Sequence, residues 1–326
     1  MKFNSRMGIA FRFVAAAGIA VAWHATAGAQ AAAIRSAPEA RISIPGERVV
    51  SESITSTTDG WIFVGSLGMR TIFRAKATDA VAASWVQPQM ETSQGIYGVF
   101  ADERSKTLYA CVSGFGEAGD SAAAELLSLD LNTGKTKGRY AFPSSGGLCN
   151  DIATGADGTA YVTDSRNMEV LRLKPRAKAL EKWLGDGAFG PKGGVLDGIG
   201  VLGNRVLVNT LATNKLFSVP IERDGRAGGV VEVKLDRALA WPDGMRSLRD
   251  GGLLLVEAGE GGRVSHVELS GNTGKVTTLR EGFPGGPASA TIVGSDVYVV
   301  EPQFAALRDN SPLKPYKVWV FPFSTP

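Results

Sequence analysis

A two-strand hairpin that recurs six times constrains the fold of this chain more than any other feature. The clearest copies are "SESITSTTDGWIFVGSL" (51–67), "CNDIATGADGTAYVTDS" (149–165), "LDGIGVLGNRVLVNT" (196–210) and "PDGMRSLRDGGLLLVEAG" (242–259). Each places strand-forming residues on either side of a tight-turn pair, Asp-Gly or Gly-Asn. Weaker copies are "YGVFADERSKTLYACVSG" (97–114) and "ASATIVGSDVYVVEPQF" (288–304). The copies start near residues 52, 97, 150, 197, 243 and 288, a spacing of about 45 to 53 residues. That is the length of a four-stranded propeller blade.

A third strand follows each hairpin: "TIFRAKA", "LLSLDL", "VLRLKP", "LFSVPI", "VSHVEL" and "VWVFPF". Fourth strands are expected at "ASWVQP", "GRYAFP", "EKWL", "VVEVKL" and "KVTTLRE". The sixth copy lacks one, and "ARISIPGE" (40–47) can supply it, closing the ring and removing exposed sheet edges. The expected fold is all-β, a six-bladed β-propeller of four-stranded blades over residues 39–326. A β-sandwich is the competing architecture, but it does not account for six evenly spaced copies. One stretch, "AKALEKW" (177–183), has helical character and also reads as strand and turn.

The chain opens with Lys2, Arg6 and Arg12, an apolar run from Phe13 to Trp23, and Ala27-Gly28-Ala29. This is the layout of a secretory signal peptide over 1–29, followed by a leader over 30–38. The expected location is periplasmic or secreted after cleavage near Ala29. Removing three basic and no acidic residues takes the formal charge from +3 to zero. A neutral surface gives no footprint for nucleic acid or an anionic membrane, so the expected partner is a small-molecule substrate. Cys111 and Cys149 are the two cysteines. They fall at the same end of adjacent blades and can form one bridge or stay as two buried thiols.

Aligning the copies on the first apolar residue of each first strand puts Glu52, Asn150, Asp197 and Asp243 in phase, with Tyr97 and Ala288 in the other two blades. First strands line a propeller's channel, so four oxygen-bearing side chains converge at one mouth. Three carboxylates and an amide that close repel unless neutralised. An oxygen-only set suits a hard divalent cation, Ca2+, Mg2+ or Mn2+. Taken singly, such residues also cap turns through local side-chain bonds.

The copies "ESITSTTDGWIFVGS", "CNDIATGADGTAYVTDS", "LDGIGV" and "WPDGM" resemble the senescence-marker, gluconolactonase and luciferin-regenerating enzyme family of six-bladed propellers. The resemblance implies a divalent cation, Ca2+ first, on a Glu, two Asn and an Asp. Carried over, these are Glu52, Asn150, Asp197 and Asp243, with Asp197 departing from the usual Asn. It also implies hydrolysis of lactones or related esters, with Asp243 as both metal ligand and catalytic base. The His pair of the related paraoxonases is absent: His24 lies in the signal peptide and His266 in a third strand.

A cation in an open mouth polarises a carbonyl and lowers the pKa of bound water, and Asp243 or Asp151 can then take a proton. Asp151 lies one residue past the ligand position, so in a regular strand it points away, toward a neighbouring blade. The second strands return Thr163-Asp164, Asn209-Thr210, Glu257 and Glu301 to the same mouth. Of these, Asp164, Asn209 and Glu257 are the candidate substrate-binding residues. Arg70 and Arg246 can grip an anionic substrate, and otherwise read as surface residues. The glycines and Phe189 of Leu184 to Gly194 suit a pocket rim. Two function classes follow: a metal-dependent hydrolase, or a non-catalytic propeller that binds a small molecule or protein and keeps its metal for structure.

Overall fold

The computed structural model describes residues 38–116, 122–185, 187–191, 193–283 and 285–324. The expected signal peptide and nearly all of the leader lie outside the described residues. Six sheets follow one another along the chain, five of four strands and one of five. They form a six-bladed β-propeller. The outer strand of the sixth blade is Glu39–Ser43, which pairs antiparallel with Lys317–Pro322. The two ends of the ring are therefore joined within one sheet, as the sequence predicts, and the largest interblade cluster forms there. Ile42, Ile54, Val64, Phe73, Tyr298 and Val318 are all buried in it.

Burial explains the strand order within each blade. The first three strands of blade three, Cys149–Thr154, Ala160–Asp164 and Glu169–Leu173, are buried almost throughout. Its fourth strand, Glu181–Leu184, is mostly exposed. Inner strands are covered on both faces by adjacent blades and need apolar residues at consecutive positions. The perimeter strand keeps one wet face. Hence "EKWL" is a strand rather than a helix.

Two elements depart from the sequence reading. The expected fourth strand "VVEVKL" is divided: Val231–Glu232 pairs with blade four, and Lys234–Leu235 pairs parallel with the outer strand of blade five. Val233, buried between them, turns the chain from one blade to the next. The helix among the described residues is Phe304–Arg308, in the connection between the second and third strands of blade six.

Cys111 and Cys149 form a disulfide with a Cα separation of 5.1 Å, joining blades two and three. It closes a loop with a sequence separation of 38, so its loss should release roughly 3–4 kcal/mol of unfolded-state entropy. The double variant Cys111→Ala/Cys149→Ala should unfold at lower denaturant, by roughly that amount, in equilibrium urea titrations. Unchanged stability would show that the bridge adds nothing to the ring.

Candidate functional site

Five of the six first strands carry the same irregularity at the same height. The register against the second strand shifts between Ser51 and Ser53, Ile96 and Val99, Cys149 and Ile152, Leu196 and Ile199, and Pro242 and Met245. Blade six pairs without a shift. The bulged residues are Glu52, Tyr97-Gly98, Asn150-Asp151, Asp197-Gly198 and Asp243-Gly244. A β-bulge leaves its extra residue unpaired and re-aims its side chain. Glu52, Tyr97, Asn150, Asp197 and Asp243 thus sit on bulges and line the channel mouth, and Ala288 in blade six does not.

Gly198 and Gly244 make these bulges fit together. A Cβ on Gly198 would stand 2.4 Å from the Asp243 carbonyl oxygen, and one on Gly244 would stand 2.6 Å from that of Ala288. The first strands converge so closely on the axis that only glycine leaves room for the next blade's backbone. Above the bulges, Val50, Val195 and Trp241 have φ of 49°, 56° and 53°. Each precedes a mouth residue by two positions, and its carbonyl accepts a hydrogen bond from the end of the adjacent second strand. Left-handed backbone is costly at valine. It is kept here because these hydrogen bonds lock the chain as it turns into the mouth.

The mouth opens into a cavity of about 960 Å³ whose floor includes Glu52, Asn150, Asp197 and Asp243. All four are more than nine-tenths buried. Burial pushes the Glu52 carboxyl well above the usual range, helped by Asp197 and Asp151, while Arg246 pulls it back. Burial and then Asp151 raise Asp197 to about 7, against hydrogen bonds from Asp243 and Asn150. Asp243 is raised in the same way, by burial, Asp197 and Glu52. Asn150 donates to Ser165 Oγ at 3.0 Å, and the Asp243 Oδ1 accepts from the Gly244 N–H at 2.8 Å.

Among the described residues, no three His, Cys, Asp or Glu side chains are gathered tightly enough to hold a metal ion as they stand. Asp197 is turned onto Asp243 and Asn150, the arrangement of carboxyls that share protons. The donors themselves, three carboxylates and one amide, fit a hard divalent cation.

The residues expected to touch substrate lie one layer back. Asp164 accepts from the Leu148 N–H at 3.0 Å and from Asn167 Nδ2 at 2.9 Å. Asn209 donates to the Asp243 carbonyl at 2.7 Å and accepts from the Gly198 N–H. Glu257 receives both Nη groups of Arg237, at 2.9 and 2.7 Å, and the Ser265 hydroxyl. None of the three lines the cavity. Thr163 makes the contact equivalent to that of Asn209, donating to the Asp197 carbonyl at 2.8 Å. The second strands of blades three and four therefore fix the mouth residues of blades four and five. Phe189 is also no rim residue: it is buried edge-on against Phe217 at 5.7 Å.

Arg246 is the largest correction, while Asp151 bonds a neighbouring blade as expected. Arg246 is buried, not a surface residue. Its Nη1 donates to both Asp151 oxygens at 2.9 Å and to the Met245 carbonyl at 2.8 Å. Its Nη2 reaches Ser53 Oγ and the carbonyls of Ile54 and Val99 at 3.2–3.3 Å. One guanidinium from blade five thus ties blades one, two and three together across the channel. Asp151 faces this ion pair because the bulge suspends strand alternation, and its Oδ2 also takes the Ile199 N–H of the neighbouring blade. Arg70 donates to the Thr92 carbonyl on the exposed perimeter and does not line the cavity. His266 is 3.3 Å from Asp250, in a separate depression.

No family model matches the chain, and no curated protein matches it in sequence. Solved structures do match in fold. A gluconolactonase from Xanthomonas campestris matches at TM-score 0.60 and 15% identity, over 85% of this chain and 87% of the other. The calcium-binding protein regucalcin from Agrobacterium tumefaciens matches at 0.60 and 15%, over 87% and 96%. Virginiamycin B lyase from Staphylococcus aureus matches at 0.56 and 14%, over 86% of each chain. The fold is that of the gluconolactonase and regucalcin propellers, as the sequence resemblance implies.

Two outcomes follow. Raised carboxyl pKa values mean that the folded chain binds more protons than the unfolded one between about pH 4 and 7, so stability falls as pH rises through that window. In chelator, Asp197→Asn should raise the melting temperature by a few degrees at pH 7.5. That gain should shrink toward nothing near pH 4; an equal gain at both would remove charge as its cause. Arg246→Met should cost about 3–5 kcal/mol by leaving Asp151 buried without its cation, and adding Asp151→Leu should recover part of it. A double-mutant cycle in denaturant reads this directly, and additive losses would deny the coupling.

Proposed function

We propose that this protein is an exported hydrolase of lactones or related esters that works with a divalent cation, Ca2+ before Mg2+ or Mn2+. The observation that carries this reading is the convergence of Glu52, Asn150, Asp197 and Asp243, from four blades, on the floor of one open cavity. These residues would hold the cation. The likeness to a gluconolactonase and to a calcium-binding regucalcin supports the reading, as does a disulfide suited to an oxidising compartment. The lyase likeness shows that the fold hosts other chemistry, so the residues must carry the assignment.

When bound, the cation supplies Lewis-acid polarisation of the ester carbonyl. The chain supplies the rest. Asp243 would serve both as a ligand of the cation and as the general base, with Oδ1 held by the Gly244 N–H. Asn150 is oriented by Ser165, and the Asp243 backbone is held by Asn209, so neither must reorganise on binding. The buried Arg246–Asp151 pair, outside the cavity lining, ties the first strands of blades one, two and three to that of blade five and so braces the site.

Chelator should abolish hydrolysis across a lactone and aryl-ester panel, and Ca2+ or Mn2+ should restore it. Glu52→Ala should weaken cation affinity in calorimetry. Asp243→Asn, which keeps an oxygen ligand but loses the base, should cut kcat by 10² or more with a smaller change in affinity. Inactivity of the purified protein across that panel with each metal would overturn the hydrolase reading. Unchanged affinity in Glu52→Ala and Asp243→Ala would overturn the site.

A further inference from the structure

We infer that the cavity takes a neutral lactone or ester bearing an alkyl or aryl substituent, rather than a polyhydroxylated sugar lactone. The assignment rests on the hydrolase reading for the reaction, and on the cavity walls for the ligand.

The floor is acidic, but the walls above it are apolar. Leu148, Leu211, Leu239, Phe283, Trp241 and Phe304 rise from four different blades around the opening. Four large hydrophobic side chains are left exposed among the described residues, and the two aromatic ones, Trp241 and Phe304, are both at this rim. Neither is there by default. Trp241 is held in the left-handed region at φ 53°, its N–H bonded to Asn214 Oδ1 at 2.7 Å. Phe304 begins the short helix after Gln303, which is itself left-handed at φ 62°. Two exposed aromatic side chains at the edge of one cavity suit an apolar ligand.

Several polar groups on the walls are already engaged. Asn214 Oδ1 accepts the Trp241 N–H, Ser165 bonds Asn150 and the Leu196 carbonyl, and Tyr97 donates to the Gly114 carbonyl at 2.9 Å. A polyhydroxylated lactone buried against such walls would recover only part of its hydroxyls' bonds to water. The charges that line the cavity are Glu52, Asp197, Asp243 and Glu260 against Arg308 at the rim. This balance disfavours an anionic substrate, so the substrate is neutral. An alkyl chain against the walls should gain roughly fourfold in affinity per methylene buried.

The test compares glucono-1,5-lactone, δ-valerolactone and δ-decalactone as substrates of the full chain with Ca2+, and binds the lactams of the same three rings by calorimetry. The pentyl substituent should raise kcat/KM at least tenfold over δ-valerolactone through KM, with the sugar lactone poorest. Trp241→Ala and Phe304→Ala together should collapse that preference to less than threefold. Equal or better turnover of the sugar lactone would overturn the inference and leave the hydrolase standing. So would a preference indifferent to both rim substitutions. If no lactone is hydrolysed, the lactams decide: tighter binding of the pentyl lactam upholds the ligand class without the reaction, and equal binding of all three rejects both.

Discussion

Carboxylates forced onto one axis must be neutralised, and this constraint organises the centre of the molecule. Glu52, Asp151, Asp197 and Asp243 are all buried where the innermost strands converge. The guanidinium of Arg246 is buried with them, and Asp151 takes it in a two-oxygen contact. Burial and the repulsion of neighbouring carboxylates, Asp151 included, raise the other three carboxyls, so that protons or a cation must neutralise them. The axis is thus divided by height. Below, an internal cation is fixed by a carboxylate and by carbonyls from three blades. Above, an acidic floor is short of positive charge. A protein that keeps such a floor accepts instability at neutral pH unless a ligand cation or protons offset it.

The propeller ring makes this arrangement rigid. First strands of neighbouring blades do not pair with each other, so side chains bridge them: Ser53 to the Val99 N–H, Thr55 to the Ala101 N–H, Thr163 to the Asp197 carbonyl and Asn209 to the Asp243 carbonyl. The same blade-to-blade bonds that build the ring also aim the mouth residues. Pairing Glu39–Ser43 with Lys317–Pro322 joins the two ends of the ring in one sheet, so the ring is held shut at its seam.

Much of this was legible in the sequence because propeller repeats impose a phase. Turn pairs and spacing identify the six hairpins, the missing sixth outer strand points to the N-terminal segment, and phase alone picks out Glu52, Asn150, Asp197 and Asp243. The failures share a cause. Strand alternation pointed Asp151 to a neighbouring blade, where it does take the Ile199 N–H, but it gave no sign of the ion pair with Arg246. Arg246 looked like a lone surface arginine because its partners lie 95 and more residues away in sequence. Asp164, Asn209 and Glu257 were rightly brought to the mouth end of their strands. Whether such residues face ligand or brace backbone depends on neighbours that one strand does not reveal. The Asp-Gly pairs at 197–198 and 243–244 were a usable signal, since the glycine marks a bulge pressed against the next blade.

The walls were not legible at all, and they separate one user of this fold from another. Phe304 comes from a connection without phase, at the start of a five-residue helix, and Trp241 stands where other blades have Val195 and the buried Val50, so its position in the repeat did not mark it as a wall. A gluconolactonase, a regucalcin and a lyase share the ring, so the ring supplies a rigid mouth and not a reaction. On the proposed reading the floor would choose the reaction and the walls the substrate. The two layers share little structure. Floor side chains are fixed by bulges and interblade bonds, while Trp241 and Phe304 stand free of the core with large exposed area. Change at the rim therefore leaves the axial charges in place, and a ring of this kind can take a new ligand without rebuilding its centre.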